Sequence, residues 1–349
     1  MFHNINEFAN AIGVSKPTAT SLLKEGTYSY FKRGNRYFIP HSSIDMMELL
    51  KSVNIDSNPM ILNTTNQKGG VGKTTTSLNL ATAYAFYGLR TLIVDNDIQG
   101  NASSINNEDS KESNDFKNNN LTNLLLKMDS LDFDELDEKI NNLLVHVEND
   151  TTKFKGTLDL LPNNFTAGED IELFITRAGS ETLLDRLLKR IKHNYDVIII
   201  DNSPTLGTVW RMSVMASNAT LVTLRPDKFS VDGLVGLLNG IKRSNNAYYD
   251  RHQKPINIIG ANITVYDRKT NSDKYGVEFI EDTLKERGIE LFKPFITRTT
   301  LVNDSQFFGG SSLYEDPISK TSDEYLELAY NIFKKFHSTQ HEFVSDTNK

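Results

Sequence analysis

The chain has 349 residues, 38 Lys and Arg against 45 Asp and Glu, a formal net charge of −7, and no cysteine. Its length exceeds one average domain, so a large domain with an appendage is expected, and the missing thiols exclude disulfides and cysteine-held metals, as suits a reducing cytoplasm. No apolar run reaches the roughly 18 residues of a membrane span, and Met1 to Glu7 lacks the basic start and apolar core of a signal peptide.

Residues 1–50 read as a small separate unit. Ile5, Phe8, Ala9 and Ile12 fall at i, i+3, i+4 and i+7, the stripe of an amphipathic helix, which Gly13 ends. Ser15 is placed to cap a second helix, with Pro17 in its first turn and Ala19, Leu22 and Leu23 facing inward. Two short helices joined at a glycine make a helix-turn-helix pattern, with Lys16, Thr18, Thr20, Ser21 and Lys24 on an outer face open to a DNA major groove. Tyr30 to Phe38 is two aromatic runs about a Gly34-Asn35 turn, a hairpin carrying Lys32, Arg33 and Arg36 at its tip. A third helix from Ser43 carries Ile44, Met47 and Leu50. The polar residues 51–59 read as a linker.

From residue 60 strands and helices alternate. The strands expected are Met60–Asn63, Thr91–Asp95, Leu158–Leu161, Val197–Asp201, Thr220–Leu224, Ile256–Thr264 and Glu290–Phe295, with helices such as Thr182–His193 and Val231–Ser244 between them. Continuous apolar runs such as Val197 to Ile200 suit strands covered on both faces, so the class is α/β: a doubly wound, mostly parallel sheet. Residues 103–150 hold twelve acids and four lysines, −8 in all, which leaves about +1 for the rest, so the overall acidity says little about other surfaces. Residues 105–120 are polar and are expected to form a mobile loop. A last helix near Tyr325–Phe336 closes a domain of residues 60–337, and 338–349 is a polar tail.

Chemistry concentrates after the first of these strands, in Asn66-Gln67-Lys68-Gly69-Gly70-Val71-Gly72-Lys73-Thr74-Thr75. Strand, glycine-rich turn and helix are what a phosphate-binding loop requires: backbone N–H groups converge on phosphate oxygens, and the helix N-terminus adds its positive dipole end. Lys73 would reach the β- and γ-phosphates, and Thr74 would offer its hydroxyl to magnesium. Gln67 stands where the strict phosphate-loop pattern has its first glycine, and Lys68 is a second lysine five positions before Lys73. Asp95-Asn96-Asp97-Ile98-Gln99-Gly100-Asn101 follows the second strand, putting two acids beside the loop. Tyr195 to Asp201 is an apolar strand ending in an acid, and Asp201 would hold magnesium.

The two-lysine loop resembles that of the ParA/MinD class of ATPases, and Asp95 to Asn101 is similar to the ParA segment D-x-D-P-Q-G-N, with Ile98 in place of proline. The resemblance implies an ATP- and Mg2+-dependent enzyme that binds nucleotide through residues 68–75. In it Asp97 positions the attacking water, Asp95 helps organise the site or its metal, and Lys68 crosses a dimer interface to the partner's nucleotide. After Asp201 the family continues with threonine or cysteine and prolines, where this chain has Asn202-Ser203-Pro204. Thr264 to Thr270 and Phe295 to Arg298 resemble two ParA segments with basic residues for sequence-independent DNA binding, which nominates Arg268, Lys269 and Arg298. Taken alone, these are ordinary solvated charges. Residues 1–50 resemble winged-helix units of the MerR and excisionase kind. The implied protein is a partition ATPase, cytoplasmic and nucleoid-associated, that dimerises on ATP and answers to a ParB-like centromere-binding partner. Its N-terminal unit would bind an operator and repress its own operon. An ATP-switched repressor without a transport role is the alternative. The polar tail does not look like the basic membrane helix of MinD-type relatives, so no membrane partner is expected.

Overall fold

The computed structural model describes residues 1–55, 58–97, 100–105, 120–147, 154–163, 179–252, 256–300 and 310–346. At the N-terminus, α1 (Ile5–Ala11) starts in a capping box made by Asn4 and Glu7, and α2 (Lys16–Lys24) is capped by Ser15. The strands β1 (Phe2–His3), β2 (Phe31–Arg33) and β3 (Arg36–Pro40) form an antiparallel sheet in the order β1-β3-β2. Arg33 and Arg36 close the hairpin, and Gly34 takes the φ of 58° that the tight turn requires. The third helix, α3 (His41–Ser52), follows directly. Phe8, Ala9, Ala19, Leu23, Ile39 and Ile44 make a small core here.

The main sheet has seven strands in the order β10-β9-β4-β8-β5-β7-β6, parallel except for the edge pair β6–β7. In chain order these are β4 (Met60–Thr65), β5 (Arg90–Asn96), β6 (Val145–His146), β7 (Thr157–Leu161), β8 (Val197–Asn202), β9 (Ala219–Leu224) and β10 (Ile258–Ile263). Both faces are apolar with a period of two. Leu62, Ile93, Ile199 and Leu221 pack toward α4 (Lys73–Tyr87) and α12 (Lys320–Asp346), joined by the short α11 (Ser312–Glu315). Ile61, Leu92, Val94, Ile198 and Ile200 pack on the opposite face, against α5 (Leu121–Lys127), α6 (Phe133–Leu143), α7 (Leu183–Ile191) and α8 (Thr208–Ala216). The helices α9 (Lys228–His252) and α10 (Asn271–Lys285) cover the β9–β10 end. Acids on α6 and in the turn before it are met by cations of α7: Arg190 lies on Asp137 at 2.6 Å, and Arg186 on Asp129 at 2.6 Å. Part of the acidity of residues 103–150 is therefore neutralised locally.

Three expectations differ from the structure. Glu290–Phe295 is not a strand; it makes only isolated bridges, Leu291 to Ala261 and, just beyond, Thr297 to Tyr266. Pro294 has no N–H to donate to a ladder. The tail expected from residue 338 continues α12 as far as Asp346. Most of the expected mobile loop, 106–119, lies outside the described residues, as do Ile98 and Gln99.

The third difference is the largest. The N-terminal unit is docked on the sheet domain and shares its core. Phe31 stacks on Phe86 at the end of α4, with ring centroids 4.3 Å apart and planes at 15°. Ser29 Oγ donates to the Phe86 carbonyl at 2.7 Å, and the Tyr87 hydroxyl lies 2.8 Å from Ser42 Oγ and 2.9 Å from the Leu326 carbonyl. Val53 and Ile55 of the expected linker pack on the same core. Their apolar side chains, like Phe31 and Met46, have no large core of their own to fill. Phe31→Ala should therefore lower the stability of the whole protein by about 3 kcal/mol. Urea unfolding followed by the fluorescence of Trp210, which is buried in the sheet domain, checks this. An unchanged midpoint would mean the two parts unfold independently.

Candidate functional site

The loop from Asn66 to Gly72 leaves the C-terminal end of β4 at the centre of the sheet and runs into α4. Gly70 and Gly72 hold φ of 71° and 83°, the left-handed region that side chains disfavour. Neighbours grip the loop by its carbonyls: Thr264 Oγ1 donates to Val71 O at 2.7 Å, Arg225 Nη1 to Gly70 O at 3.2 Å, and Lys73 Nζ to Lys68 O at 3.1 Å. In a trans peptide the N–H points opposite to the C=O, so these grips turn the amides of Gly69, Val71 and Gly72 the other way. The loop borders a cleft of about 400 Å³ also lined by Thr75, Leu78, Asp97, Asn101, Pro204 and Gly310.

Beneath the loop lie three carboxylates. Asp201 is the last residue but one of β8 and is fully buried; its Oδ2 accepts from Thr74 Oγ1 at 2.7 Å and its Oδ1 from Ser77 Oγ at 2.9 Å. Asp95 sits opposite Asp201 in the β5–β8 register and accepts from Asp97 N at 3.1 Å and from Ser103 N and Oγ at 2.7 Å each. Asp97 Oδ1 accepts from Ser203 Oγ at 2.7 Å and its Oδ2 from Asn101 Nδ2 at 3.1 Å. Burial pushes the Asp95 carboxyl up to about 8, with the nearby charge of Asp201 adding to the rise. Burial also raises Asp201, to about 6, against the pull of the Thr74 and Ser77 hydroxyls. Lys73 is lowered by burial, which outweighs the opposing fields of Asp201 and Asp97.

Lys68 is at the rim, half-buried. Its Nζ lies 2.8 Å from Asp227 Oδ1 and 3.3 Å from Ser230 Oγ, at the start of α9. The expected phosphate and acid residues thus meet at one place. The expected DNA residues form two other groups. Arg268, Lys269 and Arg298 are exposed and gathered, because Arg298 N bonds to Tyr266 O at 2.9 Å next to the Tyr266–Thr297 bridge. Lys16, Thr18, Ser21 and Lys24 are exposed along α2, and Arg33 and Arg36 at the hairpin tip. The Ser21 hydroxyl donates to Glu25 Oε1 at 2.6 Å. Sequence reasoning missed Ser77, Ser103, Ser203 and Asp227. Ser77, one helical turn from Thr74, is the one whose spacing could have been noticed; the others meet the site only through the fold.

A parallel doubly wound sheet with a glycine loop between its central strand and a buried helix defines a P-loop nucleotide-binding protein. The chain matches the AAA domain family over residues 60–254. It is 32% identical over 281 residues to the sporulation initiation inhibitor protein Soj of Bacillus subtilis, covering 78% of this chain and 97% of Soj. Against the chromosome partitioning protein ParA of Caulobacter vibrioides it is 29% identical over 290 residues, 82% of this chain and 98% of ParA. The cobyrinic acid a,c-diamide synthase of Mycobacterium smegmatis, solved with an ATP analogue and magnesium, superposes with a TM-score of 0.60 at 25% identity, over 81% of this chain and 97% of the synthase. The chain belongs to the ParA/Soj family of partition ATPases.

The buried acids have a measurable consequence. A carboxyl whose folded pKa is raised keeps its proton in the native state over a window where the unfolded chain has released it. Asp95 and Asp201 therefore subtract stability as pH climbs from about 4, with Asp95 still contributing up to about 8. Asp95→Asn removes the larger part. In ligand-free protein, the stability of Asp95→Asn relative to wild type should rise steadily between pH 5 and pH 8 (about the titration window) in urea titrations. A pH-independent difference would contradict the burial argument.

Proposed function

We propose that this protein is an ATP- and magnesium-dependent DNA partition ATPase. In this reading it dimerises on ATP, coats DNA without regard to sequence, and is driven to hydrolyse by a ParB-like partner bound at the cargo's centromere. The observation that carries the reading is one cleft lined by the glycine loop, Lys73, Thr74 and Asp97, with Asp201 bonded to Thr74 and a second lysine, Lys68, next to Gly69.

The residues present fit both ligands. A Cβ added at Gly69 or Gly70 would meet nothing within 4 Å, so phosphate oxygens have room against the backbone. Residues 68–75 would hold the nucleotide, with Lys73 on its terminal phosphates. Thr74 and Asp201, an all-oxygen pair with Asp95 behind, would hold Mg2+ with waters completing its shell. The metal, when bound, neutralises charge on the β- and γ-phosphates. Asp97 is held through Ser203 and Asn101 beside the loop, where its carboxylate would orient the attacking water. Lys68 would leave Asp227 and reach the partner protomer's nucleotide, supplying charge stabilisation that only the dimer has.

Arg268, Lys269 and Arg298 are the residues proposed for phosphate contact with any duplex. The N-terminal unit is read as a winged helix-turn-helix that recognises its own operator and represses its own operon. With its proton committed to Glu25, Ser21 offers lone pairs, which suit the amino groups of adenine or cytosine in the major groove. One observation favours the alternative of an ATP-switched repressor: the docking of Phe31 on α4 puts the N-terminal unit on the helix that begins in the phosphate loop. A Lys73→Ala strain separates them. Lost segregation with intact repression supports partition, and lost repression alone supports the switch.

Asp97→Ala should bind ATP normally and hydrolyse at least about a hundredfold more slowly, whereas Lys73→Ala should lose binding. Wild-type turnover in Asp97→Ala would remove it from the chemistry. Arg268→Ala and Arg298→Ala should weaken ATP-dependent binding equally on all duplexes and each reduce the log–log salt slope by roughly 0.9. Lys24→Ala should cost roughly 1–3 kcal/mol on one operator and almost nothing on random DNA. Gel-shift titrations at several salt concentrations check both.

A further inference from the structure

A closed set of buried polar atoms ties α4 to the chain that enters α11. Asn79 lies on α4 one turn past Thr75 and is fully buried. Its Nδ2 donates to the Thr75 carbonyl at 2.8 Å. Its Oδ1 accepts from Ser312 N at 2.9 Å, Ser312 Oγ at 2.7 Å and Ser311 Oγ at 3.3 Å. Both serines are fully buried as well, and Ser322 Oγ backs Ser312 Oγ at 3.3 Å.

The residue before these serines, Gly310, lines the same cleft as the phosphate loop. Its φ is 79°, and a Cβ there would stand 2.5 Å from Leu78 Cδ1, so its backbone rests directly on α4. The lining of the cleft is thus of two chemical kinds. Glycines, Lys73 and Thr74 make one, suited to phosphates. Leu78 and the Gly310 backbone packed against it make the other, which suits an uncharged ring system.

We infer that Asn79 is a positioning residue for the nucleoside end of the ligand. It touches no ligand atom; it holds Ser311 and Ser312 and so fixes Gly310 against Leu78. The position needs a short side chain that donates and accepts at once, which is what a carboxamide provides. Alanine would leave a buried N–H and two buried hydroxyls without their acceptor. Aspartate would lose the donor to Thr75 and bury a charge. The inference rests on the nucleotide reading above and adds which residue sets the far wall of its site.

The test compares two probes on the intact protein by titration calorimetry: Mg–ATP, which spans the cleft, and inorganic tripolyphosphate, which needs only the loop. Asn79→Ala should bind tripolyphosphate as wild type does, within about a factor of two, and ATP about tenfold more weakly, a loss of ~1.4 kcal/mol. Ser312→Ala, a milder change that keeps the backbone donor, should weaken ATP alone by about threefold, and the double variant should be no worse than Asn79→Ala. Equal losses on both probes would mean that Asn79 merely supports the loop, and no loss on either would mean that it sets nothing; each overturns the inference alone. A wild type that binds neither probe overturns the nucleotide reading and this inference with it.

Discussion

The molecule is organised around a helix with almost no free face. Of the 15 residues of α4, 14 are buried, so its sequence is not amphipathic and instead changes character along its length. The first turns, Thr74 to Ser77 and Asn79, are polar and meet carboxylates, serines and the phosphate loop. The last turn, Tyr84 to Tyr87, is aromatic and meets α12 and the N-terminal unit. A helix packed on all sides at interior density cannot shift at one end while staying still at the other. Nucleotide chemistry and the N-terminal unit therefore share one rigid part.

Charge beneath and beside the loop is arranged with unequal strength, and the inequality matters. Asp95 and Asp201 are fully buried and facing each other, with their ionised forms disfavoured by desolvation. A cation held as proposed would relieve that penalty. Lys68 and Asp227 are each about one-third exposed, and an ion pair at such a site contributes at most about 1 kcal/mol. That is weak enough to be exchanged for a phosphate contact. The strong carboxylates are fixed and the lysine at the rim is replaceable, which is the division of labour a dimer-completed site would need.

Much of this is legible in the sequence because it is local. The phosphate loop, the strands that follow an apolar run with an acid, and the glycine-ended helices all depend on neighbours a few residues apart. Ser203 on Asp97, Asp227 on Lys68 and Ser103 on Asp95 were not legible, since their partners lie 106, 159 and 8 residues away across loops whose path the sequence does not fix. The docking of residues 1–55 was also hidden. A stripe of apolar residues announces that a helix packs, but not against what, and Phe31 could have served the hairpin's own core as easily as Phe86. Glu290–Phe295 misled because its apolar content suits a strand, while Pro294 removes one of the donors a strand requires.

The proposed exchange of Lys68 from Asp227 to a partner's nucleotide is open to one direct measurement: the mass of the intact protein by light scattering with a non-hydrolysable ATP analogue and magnesium. Wild type is expected to double in mass on adding the analogue. Lys68→Ala is expected to bind the analogue, since the loop's backbone is unchanged, and to stay monomeric. A dimer formed by Lys68→Ala as readily as by wild type would contradict the exchange and the dimer-completed site built on it.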